Sequence, residues 1–430
     1  MKKAYTEVLV VGAGQAGLSA SYYLKKNAID HVVLERNSIG NSWTTQRWDS
    51  FVLNSAQKIN LLPGEEADPI KEDHFNTAKE FANDLQMYVS RHRLPIVENS
   101  RVLSVKKADE NAGFETAYSH AGEQRTIFSR QVIICSGAQS TPKLPSFAAA
   151  LRQDMLQLHA SAYRHPAALP NGAVLVVGSA QSGCQIAQEL ATAGRTTYLA
   201  SSMVPRVPRR YRGKDIMDWL ITAGFFDVPV DKLQDDGTLK TPAPQLTGVG
   251  HPPKTISLQS LAKQGVIILG SLEGATAREL IFKDNAAAHV AFADGFSAKV
   301  KKMVDEYIER QQLQAALPEE DIEDQPDENA QCVTHITSMD VDAANIGSII
   351  WATGFRGDFS YLQIPVLDAE GCPVHKEGAS AVDGLFFLGL PGLRTRGSAL
   401  IYGVGPDAAL VVDKVIAALR TTPAKATIMP

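Results

Sequence analysis

The sequence predicts an α/β fold with two Rossmann-like dinucleotide-binding domains, the first of which is interrupted by the second. One local pattern, a continuous apolar strand followed by a glycine turn and an amphipathic helix, occurs twice, starting at Glu7 and at Ala173. Further apolar strands that end in a small residue and a glycine return after residue 345. Such strands, alternating with helices, are typical of parallel sheets covered on both faces. A chain of 430 residues is long enough for two or three domains.

The first copy of the pattern consists of the strand Glu7–Val11, a glycine turn over residues 12–17 and the helical stretch Leu18–Lys26. The first glycine of such a turn allows the tight bend, the second lets backbone approach a pyrophosphate, and the third lets the helix pack closely on the strand. The phosphates bind unpaired N–H groups at the positive end of the helix. The residues of this turn predicted to contact the cofactor are Gly12, Gly14, Gln15, Ala16 and Gly17.

An acidic residue follows the first turn at the spacing that a dinucleotide site requires. Glu35 stands 23 residues after Gly12, at the end of the predicted strand His31–Leu34. A carboxylate at that place hydrogen-bonds the ribose hydroxyls of an adenosine. Glu35 and its neighbour Arg36 are therefore predicted to bind the adenosine half of the first cofactor.

The second copy consists of the strand Ala173–Val177, the turn Gly178–Gly183 and the helical stretch Cys184–Thr192. It departs from the first copy at Ala180, which places a methyl group where the second glycine is expected. The pattern still predicts a phosphate-binding turn. Its predicted contact residues are Gly178, Ser179, Gln181 and Ser182.

No carboxylate follows the second turn at the corresponding position. Ser201 stands there, at the end of the predicted strand Thr197–Ala200, and Ser202, Arg206, Arg209 and Arg210 come next. Losing the acid removes repulsion against a 2′-phosphate, and hydroxyl and guanidinium groups bind one. Ser201, Ser202 and one of the arginines, with Arg206 as the candidate and Arg209 and Arg210 left open, are thus predicted to select NADPH over NADH; the alternative interpretation of the arginines is a solvated basic loop.

Three further strand ends are predicted to lie against the cofactors. They end in Gly137, Gly354 and Gly389, and after the last of them Pro406 is expected to begin a helix that runs to about Leu419. We predict cofactor contacts from these glycines and from Asp407; simple sheet and helix packing is the alternative. The expected boundaries are 1–145 and 336–430 for the first domain and 146–335 for the second.

The segment 292–328 predicts a packing or lid helix and a connector, and we assign no chemistry to it. Apolar residues recur at three- and four-residue steps between Phe292 and Ile308, which predicts an amphipathic helix that packs or forms a lid. An acidic run follows at 319–328 and is expected to be a solvated connector. The four cysteines have no metal-site or redox-pair spacing and are each expected to be buried, so neither a metal site nor a disulfide reductase is predicted.

Composition excludes several classes of partner. The net charge of −5 carries no signature of a nucleic acid or an acidic membrane. The apolar run Val8–Val11 is too short for a signal peptide or a membrane span, which favours a cytoplasmic protein. Composition leaves a homodimer open.

These residues together resemble the class B flavin monooxygenases, and within them the flavin-containing monooxygenase group. The resemblance covers nearly the whole chain and includes both turns and the segment Ala352-Thr353-Gly354. Between the turns the group carries a fingerprint that ends His-Ser-x-x-Tyr-Arg/Lys. This chain keeps His159, Tyr163 and Arg164, but it has Gln153 and Met155 where the fingerprint has Phe and Gly.

The resemblance implies FAD in the first domain and NADPH in the second. By the match of the segment Asp49–Ser55, Asn54 would lie beside the reactive edge of the flavin. By the match upstream of it, the residues that would wrap the flavin and its phosphates are Ser42, Trp43, Arg47 and Trp48. Trp43 and Trp48 are equally interpretable as core aromatics.

The resemblance also implies a reaction, in which NADPH reduces the flavin and O₂ forms a C4a-(hydro)peroxyflavin that oxygenates a small nitrogen- or sulfur-containing or indole-like molecule. The alternatives are Baeyer–Villiger oxygenation of a carbonyl, an NADPH oxidase or reductase that feeds a carrier protein, and a redox-signalling flavoprotein. The substrate is expected to contact the insertion at about 205–330. Its candidate residues are Arg212, Lys214, Asp215 and Trp219.

Overall fold

The computed structural model describes residues 4–108, 113–234, 244–248 and 253–421. The strands of this part are β1 Ala4–Val11, β2 His31–Leu34, β3 Ile96–Val97, β4 Ser100–Lys107, β5 Phe114–His120, β6 Glu123–Ile134, β7 Thr141–Pro142, β8 Leu156–His159, β9 Ala173–Val177, β10 Thr197–Ala200, β11 Arg210–Tyr211, β12 Lys214–Asp215, β13 Ile267–Leu269, β14 Leu272–Ala275, β15 Glu279–Phe282, β16 Ser338–Asp340, β17 Ile346–Trp351, β18 Phe355–Arg356 and β19 Leu385–Phe387. Its α-helices are α1 Gln15–Lys26, α2 Asn41–Thr45, α3 Ala78–His92, α4 Gln181–Thr192, α5 Ile216–Thr222, α6 Val230–Gln234, α7 Leu258–Lys263, α8 Ala286–Arg310 and α9 Ile401–Thr421.

The first sheet is built around β1, which pairs in parallel with β2 on one side and β6 on the other. Val11 lies opposite both Leu34 and Ile134, so the three strands end at one edge of the sheet. The first half of β6 pairs antiparallel with β5, and its last residues pair in parallel with β19. A strand from the end of the chain therefore completes the first sheet, which confirms the predicted interrupted α/β fold.

The second sheet has the order β13-β10-β9-β17-β8 and its strand pairs are parallel. Strand β17 lies between β9 and β8 and ends in buried apolar residues. The sequence boundary at 336 assigns this strand to the first domain, whereas the structure returns to the first sheet only after Trp351. A buried apolar strand followed by a glycine looks the same in either domain, and only its pairing partners distinguish the two.

The connections between the two sheets lie side by side. β7, on the way out, pairs antiparallel with β18, on the way back. His159 at the end of β8 is 3.0 Å from the carbonyl oxygen of Gly354 through Nε2, and burial lowers the pKa of its imidazole. The two connections between the sheets therefore form a two-stranded ribbon beside Gly354.

The C-terminal helix α9 begins earlier than the sequence predicts. It starts at Ile401, and the N–H of Val404 already donates to the carbonyl of Leu400 at 3.1 Å. Pro406 therefore lies inside the second turn and is not the first helical residue. Proline is tolerated there because little of the helix precedes it and few hydrogen bonds are lost.

The amphipathic helix expected over 292–308 is present and longer, as α8, with buried positions at three- and four-residue steps. The acidic run after it differs from expectation. Asp324 is only 4 % exposed, and its carboxylate accepts hydrogen bonds from Ser297 Oγ at 2.7 Å and Lys301 Nζ at 2.6 Å, and from Arg206. The acidic run is fixed at Asp324 because Arg206 and Lys301, from neighbouring elements, neutralise the carboxylate of this residue.

Cys135 and Cys184 are buried as predicted, Cys332 is partly buried and Cys372 is exposed, contrary to the expectation for that residue. In the ranges given above, no helix combines the length and the apolar composition that crossing a bilayer requires.

Candidate dinucleotide cleft

A cleft of about 940 Å³ follows the carboxyl edge of the first sheet and reaches the start of α4 in the second domain. This volume lies in the range typical of cofactor sites. The predicted residues that the structure brings together on its walls are Gly12, Gly14, Gln15, Ala16, Glu35, Arg36, Ser42, Trp43, Arg47, Trp48, Asn54, Gly137, Gln181, Ser182, Gly354 and Gly389. The predicted residues that do not line it are Gly17, Gly178, Ser179, Ser201, Ser202, Arg206 and Asp407.

The first glycine turn has the close approaches that require glycine. Gly12 has φ +100°, and a Cβ added there would lie 2.7 Å from the carbonyl oxygen of Cys135. A Cβ on Gly17 would lie 1.8 Å from the oxygen of Gly12, which explains why this glycine packs the helix and does not face the cleft. Gly14 has no neighbour within 4 Å at that position and precedes α1 without any side-chain cap. The first N–H groups of α1 are thus left for a ligand.

Glu35 lies at the end of β2, next to this turn. Its Oε2 accepts a hydrogen bond from the N–H of Ala13 at 2.8 Å, and its Oε1 accepts one from the N–H of Asn37 at 3.0 Å. The carboxylate is therefore fixed beside the turn, at the edge where an adenosine ribose would lie. The uncapped helix and this carboxylate fit FAD.

Aromatic and cationic side chains form another wall. The guanidinium of Arg47 lies 5.0 Å from the ring centroid of Trp43 and 5.4 Å from that of Phe51, and burial lowers the pKa of Arg47 to about 10. Trp48 is buried and packs edge-on against Phe51 at 5.1 Å between ring centroids. Both tryptophans therefore line the cleft and pack in the core at the same time.

The second turn repeats the geometry of the first. Gly178 has φ +102°, and its Cβ would lie 2.6 Å from the oxygen of Ala352; a Cβ on Gly183 would lie 1.8 Å from the oxygen of Gly178. The helix α4 starts after Ala180 without a side-chain cap. The Gln181 amide is held by Thr247, to whose carbonyl its Nε2 donates at 2.6 Å. This turn fits the phosphates of a second dinucleotide.

Two of the residues expected at the 2′-phosphate are committed elsewhere. Ser201 is 2 % exposed; its Oγ donates to the carbonyl of Leu269 at 2.6 Å and is 2.8 Å from Nδ1 of His289. Arg206 is 1 % exposed and pairs with Asp294, at 2.7 Å, and with Asp324. The two carboxylates compensate the charge of this buried guanidinium, which is therefore not free to bind a phosphate. The structure does not support the expected role of Arg206 at the 2′-phosphate.

Ser202 is the member of this group that stays beside the second turn. It is half-buried, and its N–H donates to the Oγ of buried Ser179 at 2.9 Å. Ser179 thus holds the end of β10 against the turn, which explains why its side chain does not face the cleft.

Asn54 is half-buried and bridges the two domains. Its Oδ1 accepts a hydrogen bond from Nε2 of Gln185 on α4 at 3.3 Å, and its main-chain oxygen accepts one from Nη1 of Arg209 at 2.8 Å. Apolar residues near it in the chain, from the insertion and from the start of α9 line the same cleft. They are Ile59, Met217, Leu400, Ile401 and Tyr402.

The expected roles of several other residues change in the structure. Asp407 is buried one turn and a half inside α9, where its Oδ1 accepts from Nε of Arg394 at 3.0 Å. It misses the cleft because the helix begins at Ile401. In the insertion, Arg212 pairs with Asp305 at 2.6 Å, Lys214 lies over the ring of Trp219, and Trp219 is buried.

The fingerprint residues hold the domains together. The hydroxyl of buried Tyr163 donates to Glu189 Oε2 on α4 at 2.7 Å, and Ser50 donates to Oε1 of the same carboxylate at 2.7 Å. Arg164 donates to the carbonyl of Arg47 at 2.8 Å, which fixes the loop that carries Trp43 and Trp48.

Sequence reasoning missed some residues that line the cleft. Gln185 lies one helical turn after Gln181, and that spacing on α4 was a usable signal. Ser136 and Tyr361 also line it, and their hydroxyls are 2.8 Å apart. Tyr361 lies in a segment without a recognisable motif, and burial raises the pKa of its phenol.

Comparisons with known proteins agree with this architecture. Residues 9–210 match the model of the pyridine nucleotide-disulphide oxidoreductase family. The CzcO-like oxidoreductase of Geobacillus kaustophilus is 31 % identical over 415 residues, which cover 95 % of this chain and 98 % of that protein. Flavin-containing monooxygenase 1 of Mus musculus is 27 % identical over 214 residues, 45 % of this chain and 40 % of that protein. The structure of a flavin-containing monooxygenase from Stenotrophomonas maltophilia matches with a TM-score of 0.65 and 19 % identity, covering 96 % of this chain and 99 % of that one.

Proposed function

This chain belongs to the CzcO-like oxidoreductases, a class B flavin monooxygenase-like family with FAD and NADPH as cofactors, and we propose that it oxygenates a small nitrogen- or sulfur-containing or indole-like molecule. The overall reaction consumes one NADPH, one proton and one O₂; one oxygen atom enters the substrate and the other leaves as water. The observation that carries this proposal is that two uncapped glycine turns, in different domains, open onto one cleft that also contains Asn54.

Residues of the first domain would bind FAD. The N–H groups at the start of α1 would hold its pyrophosphate, and Glu35 its adenosine ribose. When bound, the flavin accepts a hydride from NADPH and supplies the electrons that activate O₂. The start of α4 would hold the pyrophosphate of NADPH, with Ser202 beside its adenosine end.

Asn54 would act at the reacting end of the cleft. A carboxamide can donate and accept hydrogen bonds without releasing a proton, so it can orient an oxygen species without promoting its loss as hydrogen peroxide. Ile59, Met217 and Tyr402 lie on the same cleft and would exclude water from it.

The same apolar wall indicates the class of substrate. Side chains such as Ile59, Met217 and Leu400 stabilise a small molecule with exposed carbon and do not compensate a charge. An uncharged thioether, a tertiary amine in its neutral form or an indole ring combines such carbon with the electron-rich atom that accepts oxygen.

The proposal is tested with purified, FAD-loaded protein, NADPH and ¹⁸O₂. We expect NADPH consumption to rise with a thioether, tertiary amine or indole substrate, and the product to carry a single ¹⁸O atom. Hydrogen peroxide is measured in the same samples. Protein that binds NADPH without reducing its flavin, or that releases one peroxide for each NADPH with every substrate, contradicts the proposal.

A further inference from the structure

Arg209 is a buried cation to which the proposed reaction gives no direct role. It lies in the second domain just before β11, and it is 2 % exposed. A buried guanidinium is costly unless its charge and its N–H groups are all compensated, so its partners show what it holds in place.

The contacts of Arg209 compensate both its charge and its N–H groups. Its Nε donates to Asp215 Oδ2 at 2.9 Å, and its Nη2 donates to the same oxygen. Its Nη1 donates to Thr247 Oγ1 at 2.7 Å and to the main-chain oxygen of Asn54 at 2.8 Å. The guanidinium carbon lies 5.0 Å from the ring centroid of Phe75.

These partners belong to different domains. Asp215 and Thr247 lie in the second domain, whereas Asn54 and Phe75 lie on a loop of the first domain. The two ends of that loop are joined by a hydrogen bond, in which the N–H of Leu53 donates to the carbonyl of Asn76 at 2.8 Å. Arg209 therefore joins the second domain to the backbone segment that presents the Asn54 side chain to the cleft.

A second contact acts on the same residue. Gln185 donates to the Asn54 side chain at 3.3 Å, a long hydrogen bond that by itself restrains the amide weakly. The charge-assisted bond from Arg209 to the main-chain oxygen is shorter and stronger. Arg209 fixes the backbone of Asn54, and Gln185 then has only the side chain to orient.

We propose that Arg209 is a positioning residue that sets how efficiently oxygen reaches the substrate, through its hold on Asn54, without binding either cofactor. This inference rests on the proposed function, in which Asn54 is the residue beside the reacting atoms.

The activity test uses Arg209→Lys, which keeps the charge and loses the guanidinium fork. We expect oxygenated product per NADPH to fall about 10- to 100-fold, because a displacement of about 1 Å in a reacting group costs this order of efficiency. FAD content and the rate of flavin reduction by NADPH stay unchanged. With Asn54→Ala already present, Arg209→Lys has no further effect on product per NADPH; additive losses overturn the proposal.

Arg206→Lys is the matched control. Arg206 is equally buried and pairs with two carboxylates where Arg209 pairs with one, but its partners Asp294 and Asp324 both lie in the second domain. A loss of product per NADPH as large in this variant as in Arg209→Lys would show a general effect of destabilising the second domain, which overturns the proposal.

A structural readout separates the inference from the proposed function. Hydrogen exchange of backbone amides, followed by mass spectrometry, is measured in FAD-loaded wild-type and variant proteins. Arg209→Lys is expected to speed exchange over residues 52–60 and 74–77, and Arg206→Lys over 294–304 and 321–327 only. If Arg209→Lys folds poorly, Thr247→Val removes one acceptor of the same guanidinium and is expected to shift exchange over 52–60 in the same direction.

Unchanged exchange over 52–60 in Arg209→Lys or Thr247→Val, or an equal change in Arg206→Lys, overturns the inference whatever the activity. Wild-type protein that makes no oxygenated product contradicts the proposed function, while the exchange measurements still decide whether Arg209 holds the loop.

Discussion

At the scale of single residues, glycines in the left-handed region differ sharply in what surrounds them. Gly12 has φ +100° and a backbone oxygen 2.7 Å from where a Cβ would stand, whereas Gly122 has φ +84° and no neighbour within 4 Å. Both positions strain an L-residue, but only the first also lacks the space for one. Gly12 is at the cofactor cleft and Gly122 at the turn between β5 and β6.

We expect Gly12→Ala to abolish FAD binding, because the turn must open to relieve the contact with Cys135. Gly122→Ala is the control, with the same backbone strain at a distant turn; it should keep its full FAD content and lose about 1 kcal/mol of stability. Flavin absorbance per protein after reconstitution measures both. Full flavin content in Gly12→Ala would contradict the placement of the pyrophosphate at this turn.

We expect coenzyme choice to depend on one position as well. Ser202 is the residue that the structure leaves beside the second turn after Ser201 and Arg206 are buried. Ser202→Asp places a carboxylate near the 2′-phosphate, and like charges about 4 Å apart at a protein surface repel by up to about 4 kcal/mol. We expect the KM for NADPH to rise about tenfold or more, and the KM for NADH to change little.

Steady-state kinetics with both coenzymes measure this change, and FAD content serves as the check that the first domain is intact. An unchanged ratio of the two KM values would show that the adenosine end of NADPH lies away from Ser202.

At the scale of elements, α3 shows how local sequence defines a helix start. Thr77 Oγ1 accepts a hydrogen bond from the N–H of Glu80 at 3.2 Å, and Glu80 Oε2 accepts one from the N–H of Thr77 at 2.7 Å. This reciprocal cap satisfies donors that the helix itself leaves unpaired. It also lies next to the loop of Asn54, since Val52 bridges to Thr77.

Thr77→Ala is expected to lower the free energy of unfolding of the first domain by about 0.5–2 kcal/mol, the usual cost of removing a cap. Ser90→Ala, an exposed serine near the other end of the same helix, is the control and should change stability little. Urea unfolding followed by circular dichroism measures both variants. Equal midpoints for Thr77→Ala and wild type would mean that the cap contributes nothing.

Elements were predictable where the signal is local. The strands β2, β9 and β10 have the predicted bounds, because continuous apolar runs flanked by glycine or polar residues define them. The predicted start of α9 is wrong because proline favours the first turn of a helix in general, whereas here the helix already begins at Ile401, before Pro406. The acidic run predicts a solvated connector because its own sequence does not show the cations, Arg206 and Lys301, that neutralise Asp324.

At the scale of the whole molecule, burial lowers the pKa of five histidines in the part of the chain that the structure describes. They are His31, His92, His159, His289 and His375. Between the lowered folded values and the ordinary value of 6.5, the unfolded chain binds more protons than the folded one. Their contribution to stability is therefore complete above about pH 6.5 and is lost as the pH falls through the folded values.

We expect the melting temperature to fall as the pH is lowered from about 7.5 to about 5.5, a range above the one in which carboxylates titrate. Calorimetry at a series of pH values measures it, and His289→Gln should flatten the dependence by removing one buried imidazole. A melting temperature that stays constant or rises on acidification over this range would contradict the assignment.

The sequence by itself determined the two glycine turns, the acid after the first of them and the strands and helices that flank them. These features depend on backbone conformation and on periodicity over a few residues. Only the tertiary structure decided which partners the polar side chains bind. The partners of Arg206 lie 88 and 118 residues away along the chain, and Asn54 is held by Gln185 and Arg209, 131 and 155 residues away. Whether a cationic side chain binds a ligand or a buried carboxylate depends on which groups the fold places beside it. Those groups are distant in sequence, so the local sequence does not predict them.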